Sequence, residues 1–305
     1  YWIYGSRAYV AKREKDNTLD NIIAVLNVDA ATRSPVTISA TGIELRNPIE
    51  EVARSIGLEY NVEFDHPYCD SFSFSMKGIP SGSIHSLYRI IDIYHTDRDR
   101  VESIDFNVVQ SVIELVYRIV TSLSIRGFEA LDYQGYSEFI ASKLNRIADV
   151  NLLREFTNKV RYLITEGGYD KLYKCFKVIN MNAKPIFKGV YREDLGWFET
   201  VFLPELLTVE CKCKLSKLLQ FPLRDRASIE KEVKSIPSAI IIPGFEENII
   251  SINTRYLVRL IKNEDIGLVF KVLSETVKTL NYYEDKVKGK VKYILKSCLD
   301  ILSSG

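Results

Sequence analysis

Residues 21–29 read NIIAVLNVD, from Asn21 to Asp29. A short run of aliphatic side chains that ends in polar ones is the pattern of a strand buried inside a sheet. The neighbouring segments extend that reading. Residues 35–40 (PVTISA) form a second β-branched run. From Pro48 to Ile56 the spacing turns helical, with Ile49, Val52, Ala53 and Ile56 on one face and Gly57 as the stop. Leu58–Phe64 (LEYNVEF) alternates as a strand does, and Ser83–Leu87 follows the Gly78–Ile79–Pro80 turn as another short strand. Asp105–Leu123 then reads as a long helix, with Val108, Val112, Val116, Ile119 and Leu123 recurring at intervals of three and four. Strands alternating with helices predict an α/β sheet with helices on its faces.

After Gly127 the pattern becomes mostly helical. Phe139, Ile140, Leu144 and Ile147 form one stripe. Leu152, Leu153, Phe156, Val160, Leu163 and Ile164 form a second, ended by Gly167–Gly168. Val287, Val291, Ile294, Leu295, Cys298 and Leu302 form a third. Between them, Ala239–Ile242 (AIII) is expected to be a lone strand or a buried extended segment. The expected organisation is an α/β domain over residues 1–125 and a mostly helical domain over 126–305.

Composition narrows the classes of function. The chain has 305 residues, with 41 Lys plus Arg against 40 Asp plus Glu, a net charge of +1. A hydrophobic fraction of 46% is that of a globular chain. Near-zero net charge argues against a dedicated nucleic-acid binder. Lys286, Lys288, Lys290 and Lys292 read as a solvated helix face around Val287 and Val291. No apolar run of about 18 residues suggests a membrane span. Five cysteines at irregular spacing make a disulfide framework improbable, so a reducing, cytoplasmic setting is expected. Cys211 and Cys213 have no second Cys or His pair beside them and read as ordinary thiols. The opening residues Tyr1–Tyr4 have the form of neither a translation start nor a leader peptide.

Chemistry is carried by few residues. The three histidines are His66, His85 and His95. His95 stands out because Tyr94 precedes it and Asp97 and Asp99 follow, just after an apolar stretch. The end of a strand or its following loop is where α/β sheets display working groups. Imidazole is a common zinc ligand and a nearby carboxylate can fix its tautomer. Asp29 ends the first strand, where a carboxylate is costly unless hydrogen-bonded or metal-bound; the alternative is an Asp that caps the next turn. Asp70 opens a helix as an N-terminal cap. Gly5–Ser6 reads as a capped start of the first helix.

In order, Gly5–Ser6–Arg7–Ala8–Tyr9, Asn27–Val28–Asp29, Asp70 before Gly78–Ile79–Pro80, and Tyr94–His95–Thr96 before Asp99 resemble the zinc-dependent aminopeptidase family with a co-catalytic metal pair. That family also contains glutamate carboxypeptidase and the transferrin receptor. The resemblance covers about residues 3–123. It implies a three-layer zinc-peptidase fold, a mixed sheet flanked by helices. It also implies that Asp29 binds one of two zinc ions and His95 the other. Tyr94 would stabilise the oxyanion, while Asp70 and Asp99 would support the site. Ser71 stands where the family often has His after the aspartate. The family's other ligands and its Glu-Glu pair precede the Gly-Ser helix start. The resemblance therefore implies that only the C-terminal part of such an enzyme is represented here, inactive by itself.

The expected function is a two-zinc metallopeptidase acting on peptide substrates, an exopeptidase of the aminopeptidase type. The alternative is a non-catalytic, transferrin-receptor-like binding protein of the same fold. The helical part would then mediate homodimerisation. No nucleic-acid or membrane partner is expected.

Overall fold

The computed structural model describes residues 3–63, 69–188, 197–203, 206–220, 226–234, 254–263 and 266–304. His66 and the 239–242 segment lie outside these residues. The described chain forms two compact units, residues 1–183 with 292–305, and residues 184–291. The expected boundary near residue 125 falls inside the first of them.

The first unit holds a four-stranded mixed sheet of order β1-β4-β2-β3. Its strands are β1 (Val25–Asp29), β2 (Val36–Ala40), β3 (Tyr60–Glu63) and β4 (Ser81–His85). β1 runs parallel to β4 and β2 parallel to β3, whereas β4 and β2 are antiparallel. Helices α1 (Tyr4–Lys15), α2 (Ile43–Ser55), α3 (Ser71–Ser75), α4 (Leu87–Ile90) and α5 (Phe106–Arg126) surround it. The helix read from Pro48 begins five residues earlier, at Ile43, and carries Pro48 inside. Asp105 caps α5, its carboxylate accepting the Asn107 N–H at 2.9 Å.

The two faces of the sheet differ sharply. Even-numbered residues of the central strands, Val36, Ile38, Ala40 and Ile84, are buried and apolar. A side chain on Gly82 would meet Ile49 of α2, so α2 covers this face. Odd-numbered positions carry Thr37, Ser39, Ser81, Ser83 and His85, all buried as well. Ser71 of α3 meets Ser83 at 2.8 Å and Ser73 meets Ser6 of α1 at 2.9 Å, so α3 covers the polar face. Each buried hydroxyl needs a hydrogen-bond partner. Small side chains let the helix approach closely enough to supply them. The result is a generic three-layer α/β arrangement, a mixed sheet flanked by helices.

Three further helices complete this unit: α6 (Tyr133–Leu144), α7 (Val150–Thr165) and α8 (Tyr169–Asn180). They close on an aromatic cluster in which Phe176 lies 5.1 Å from Tyr136, 5.2 Å from Tyr133 and 6.1 Å from Phe156.

The second unit is mostly helical, as expected, with a small sheet. It contains a two-stranded sheet, β5 (Ala183–Lys188) and β6 (Trp197–Phe202), followed by α9 (Leu206–Leu218), α10 (Arg226–Lys234) and α11 (Thr254–Lys262). Helix α12 (Ile266–Ser303) begins here, and its residues from Lys292 onward count in the first unit. Leu215, Val233, Leu257, Val269 and Leu273 lie in the core of this unit. Cys211 joins that core, where burial pushes its thiol up to about 12, while Cys213 is exposed. All five cysteines are free. The lysine row of α12 is a solvated face: Lys288 pairs with Glu284 at 2.7 Å and Lys286 sits over the Tyr282 ring.

Among the described helices, α5 is long and apolar enough by composition to cross a bilayer. Core helices pass the same test, and Val108, Val112, Leu115 and Ile119 of α5 are buried. Its outer face leaves Ile113, Tyr117, Val120 and Ile125 exposed; with Val28 of β1 they border an open groove of about 640 Å³.

Candidate functional site

Strand register places a polar row at one end of the sheet. Asp29 of β1 sits beside His85 of β4, and His85 sits beside Thr37 of β2. In a sheet, paired residues point to the same face. Asp29 therefore faces the polar, α3-covered side, two residues beyond Asn27, whose side-chain amide donates to Ser83 Oγ at 3.0 Å.

The loops beyond these strand ends are tied together. Ala30 turns the chain with φ 50°, directly after Asp29. Its carbonyl accepts the Ser86 N–H at 3.3 Å. Ser86 Oγ donates to the Arg33 carbonyl at 2.6 Å and accepts the Arg33 N–H at 3.1 Å. Arg33 Nε reaches the Ser103 carbonyl at 3.1 Å, and the Asp105 N–H reaches the Thr32 carbonyl at 3.0 Å. The segments after β1, after β4 and before α5 thus form one frame.

Tyr94 and His95 are mounted on that frame. The Tyr94 N–H bonds to the Ile90 carbonyl at 2.8 Å, and Thr96 closes the next turn onto the Ile93 carbonyl at 2.6 Å. His95 is exposed, adopts φ 61° and stacks on Tyr94 with ring centroids 3.9 Å apart. Left-handed backbone is uncommon for non-glycine residues, and such strain concentrates at working sites. Burial raises the Tyr94 hydroxyl above its ordinary range, and the charges of Asp29, Cys69 and Asp99 raise it further. The phenol therefore stays a neutral O–H donor.

Of the site residues expected from the sequence, Tyr94 and His95 stack on each other, and the charges of Asp29 and Asp99 are felt at the Tyr94 hydroxyl. Asp29 caps no turn. Among the described residues no hydrogen bond or ion pair engages its carboxylate. Asp70 is exposed at the start of α3 but takes helical angles, φ −63° and ψ −29°, and makes no side-chain cap. The expected capping by Ser6 is also absent; its hydroxyl instead donates to the Ile3 carbonyl and meets Ser73. Asp99 closes its loop through its backbone N–H, bonded to the Thr96 carbonyl at 3.2 Å.

His85 is the polar residue that sequence alone left unplaced. It is fully buried, and its Nδ1 accepts the Leu87 N–H at 3.4 Å. Its Nε2 faces Glu63 Oε1 at 3.3 Å, and Tyr88 donates to the same carboxylate at 3.0 Å. The alternation of β4, which sets His85 in register with Asp29, is the signal that would have found it.

The donors gathered here suit a metal ion in kind, since carboxylate oxygen and imidazole nitrogen are both zinc ligands. Among the described residues, however, no group of three or more His, Cys, Asp or Glu side chains could hold one. Asp29 and His95 supply two donors, where zinc sites take three or four from protein.

Residues 1–120 match the model of peptidase family M28. The match lies over the N-terminal part of this chain. This corrects the expectation that the resemblance marks only the C-terminal part of such an enzyme. Searches of curated proteins and of solved structures found no match.

Proposed function

We propose that this protein is a zinc-dependent peptidase of the exopeptidase type, acting at the rim formed by Asp29 and the 94–99 loop. The observation that carries the reading is the surroundings of Tyr94. The charges of Asp29 and Asp99 help to keep its hydroxyl neutral, and the His95 ring is stacked on its own. The similarity of residues 1–120 to a peptidase family supports the same reaction class.

Asp29 would contribute to holding one zinc ion and His95 the other; zinc when bound supplies Lewis-acid polarisation of a peptide carbonyl. The chain's own contribution is positional. β1 and the Ser86–Arg33 clasp fix the Asp29 carboxylate at the strand tip. The turn at Thr96 and the left-handed His95 hold the imidazole outward. Tyr94 donates its O–H to the oxygen on which negative charge develops, the role that an oxyanion donor plays in acyl transfer.

Tyr94→Phe tests this directly. It removes one donor and keeps the ring that stacks on His95. Peptide hydrolysis is expected to fall about 100-fold or more in kcat, with little change in KM. An unchanged kcat would remove Tyr94 from the mechanism. A second reading, a binding protein of peptidase fold without catalysis, is favoured by the two-donor count among the described residues. It predicts no hydrolysis in either form.

A further inference from the structure

We propose that Glu44 is a proton-operated latch that fastens α2 to α8 when its carboxyl is protonated and loosens that junction when the proton leaves. Glu44 is fully buried near the start of α2. Its Oε1 accepts the Asn180 side-chain N–H at 2.5 Å. Asn180 also donates to the Gly78 carbonyl at 3.3 Å and accepts the Tyr136 hydroxyl at 2.8 Å. One side chain of α8 thereby joins α2, α6 and the turn that leads into β4.

The second oxygen explains the preference for the neutral form. Glu44 Oε2 is buried with no hydrogen-bond partner among the described residues. It lies so close to Gly42 that a side chain there would collide with it. An ionised carboxylate in that position loses its hydration and finds no cation. The groups facing it reinforce this. Asp132, just ahead of α6, holds a negative charge committed to the Gly135 N–H and the Asn47 amide. From α6 come the hydroxyls of Tyr133 and Tyr136, from α8 Tyr173 and Asn180, and beyond Tyr136 the Cys298 thiol of α12. The nearest cation on α2 itself, Arg46, pairs with Glu50 at 3.1 Å. β2 brings no ionisable residue, β4 brings only His85 on its opposite face, and the buried residues of α5 are apolar.

Burial is the main cause that lifts Glu44 from 4.5 to about 7, against the hydrogen bonds of Asn180 and its own N–H; Asp132 adds to the rise. Folding therefore takes up a proton. The stabilisation is fully present below about 4.5 and is lost as pH rises to about 7. The full change is about 300-fold in the folded-to-unfolded ratio.

The test compares wild type with Glu44→Gln, which mimics the protonated form, by urea denaturation between pH 5 and pH 8. Wild type is expected to lose about 70-fold in that ratio relative to Glu44→Gln as pH rises from 5 to 8. Parallel profiles for the two proteins would overturn the proposal. Hydrogen exchange on wild type alone provides a second reading that needs no variant. Amides of α8 should lose protection between pH 5.5 and pH 8, after correction for intrinsic rates, while those of α5 do not. Equal behaviour of the two helices would also overturn it.

Discussion

Asp29→Ala is expected to lower peptide hydrolysis by about 1,000-fold or more while leaving the fold intact. The size follows from the role. A carboxylate that holds a Lewis-acidic ion contributes several kcal/mol of transition-state stabilisation, and about 4 kcal/mol corresponds to about three powers of ten. The fold should survive because Asp29 is only half-buried at the end of an edge strand, outside the apolar core. The frame beside it is held by backbone and Ser86 contacts that do not use the Asp29 carboxylate. Steady-state hydrolysis of unblocked and N-blocked peptides measures the effect. Loss confined to unblocked substrates identifies an aminopeptidase. Activity within a few-fold of wild type would exclude Asp29 from the site.

The second large effect concerns stability. Gly78→Ala is expected to destabilise the protein by about 2–5 kcal/mol. Gly78 adopts φ 77°, where a side chain costs about 1–2 kcal/mol. An added Cβ would also lie 2.3 Å from the Lys177 carbonyl oxygen of α8, and relieving such overpacking costs about 1–3 kcal/mol more. The turn cannot simply withdraw. The Gly78 N–H is bonded to the Ser75 carbonyl at 2.8 Å, and its own carbonyl accepts from Asn180. Urea denaturation measures the change. A loss below about 1 kcal/mol would show that the turn and α8 are not packed as described.

The sheet was legible wherever apolar and polar residues alternate along a strand. β1, β2 and β3 lie within or beside the segments read as strands, and β4 overlaps the one read from Ser83. The nature of its second face was not legible. Thr37, Ser39, Ser83 and His85 look like a solvent face by their chemistry, yet they are buried under α3. Only the serines of a five-residue helix make that burial possible, and a helix so short has no periodicity to recognise. The start of α2 was missed because Pro48 reads as a beginning, whereas it sits inside the helix. Glu44 was lost with that missed turn. Helix α8 was hidden because Gly167–Gly168 was read as an end, although Gly168 also immediately precedes the next helix.

The site itself was legible in part. Asp29 stood out as a carboxylate at a strand end, and Tyr94, His95 and Asp99 as a polar cluster just after an apolar stretch, although that stretch is the short helix α4 and the turn after it rather than a strand. The loops beyond the strand ends are clasped by Ser86, Arg33 and Thr32. Such contacts between distant segments leave no local pattern in the sequence.

The proposal that Asp29 and His95 each contribute to holding a zinc ion is tested most directly by metal content. Wild type, Asp29→Ala and His95→Ala should each be equilibrated with zinc, desalted and assayed by elemental analysis. Wild type is expected to retain zinc and each variant clearly less. Equal zinc content in all three proteins would contradict it.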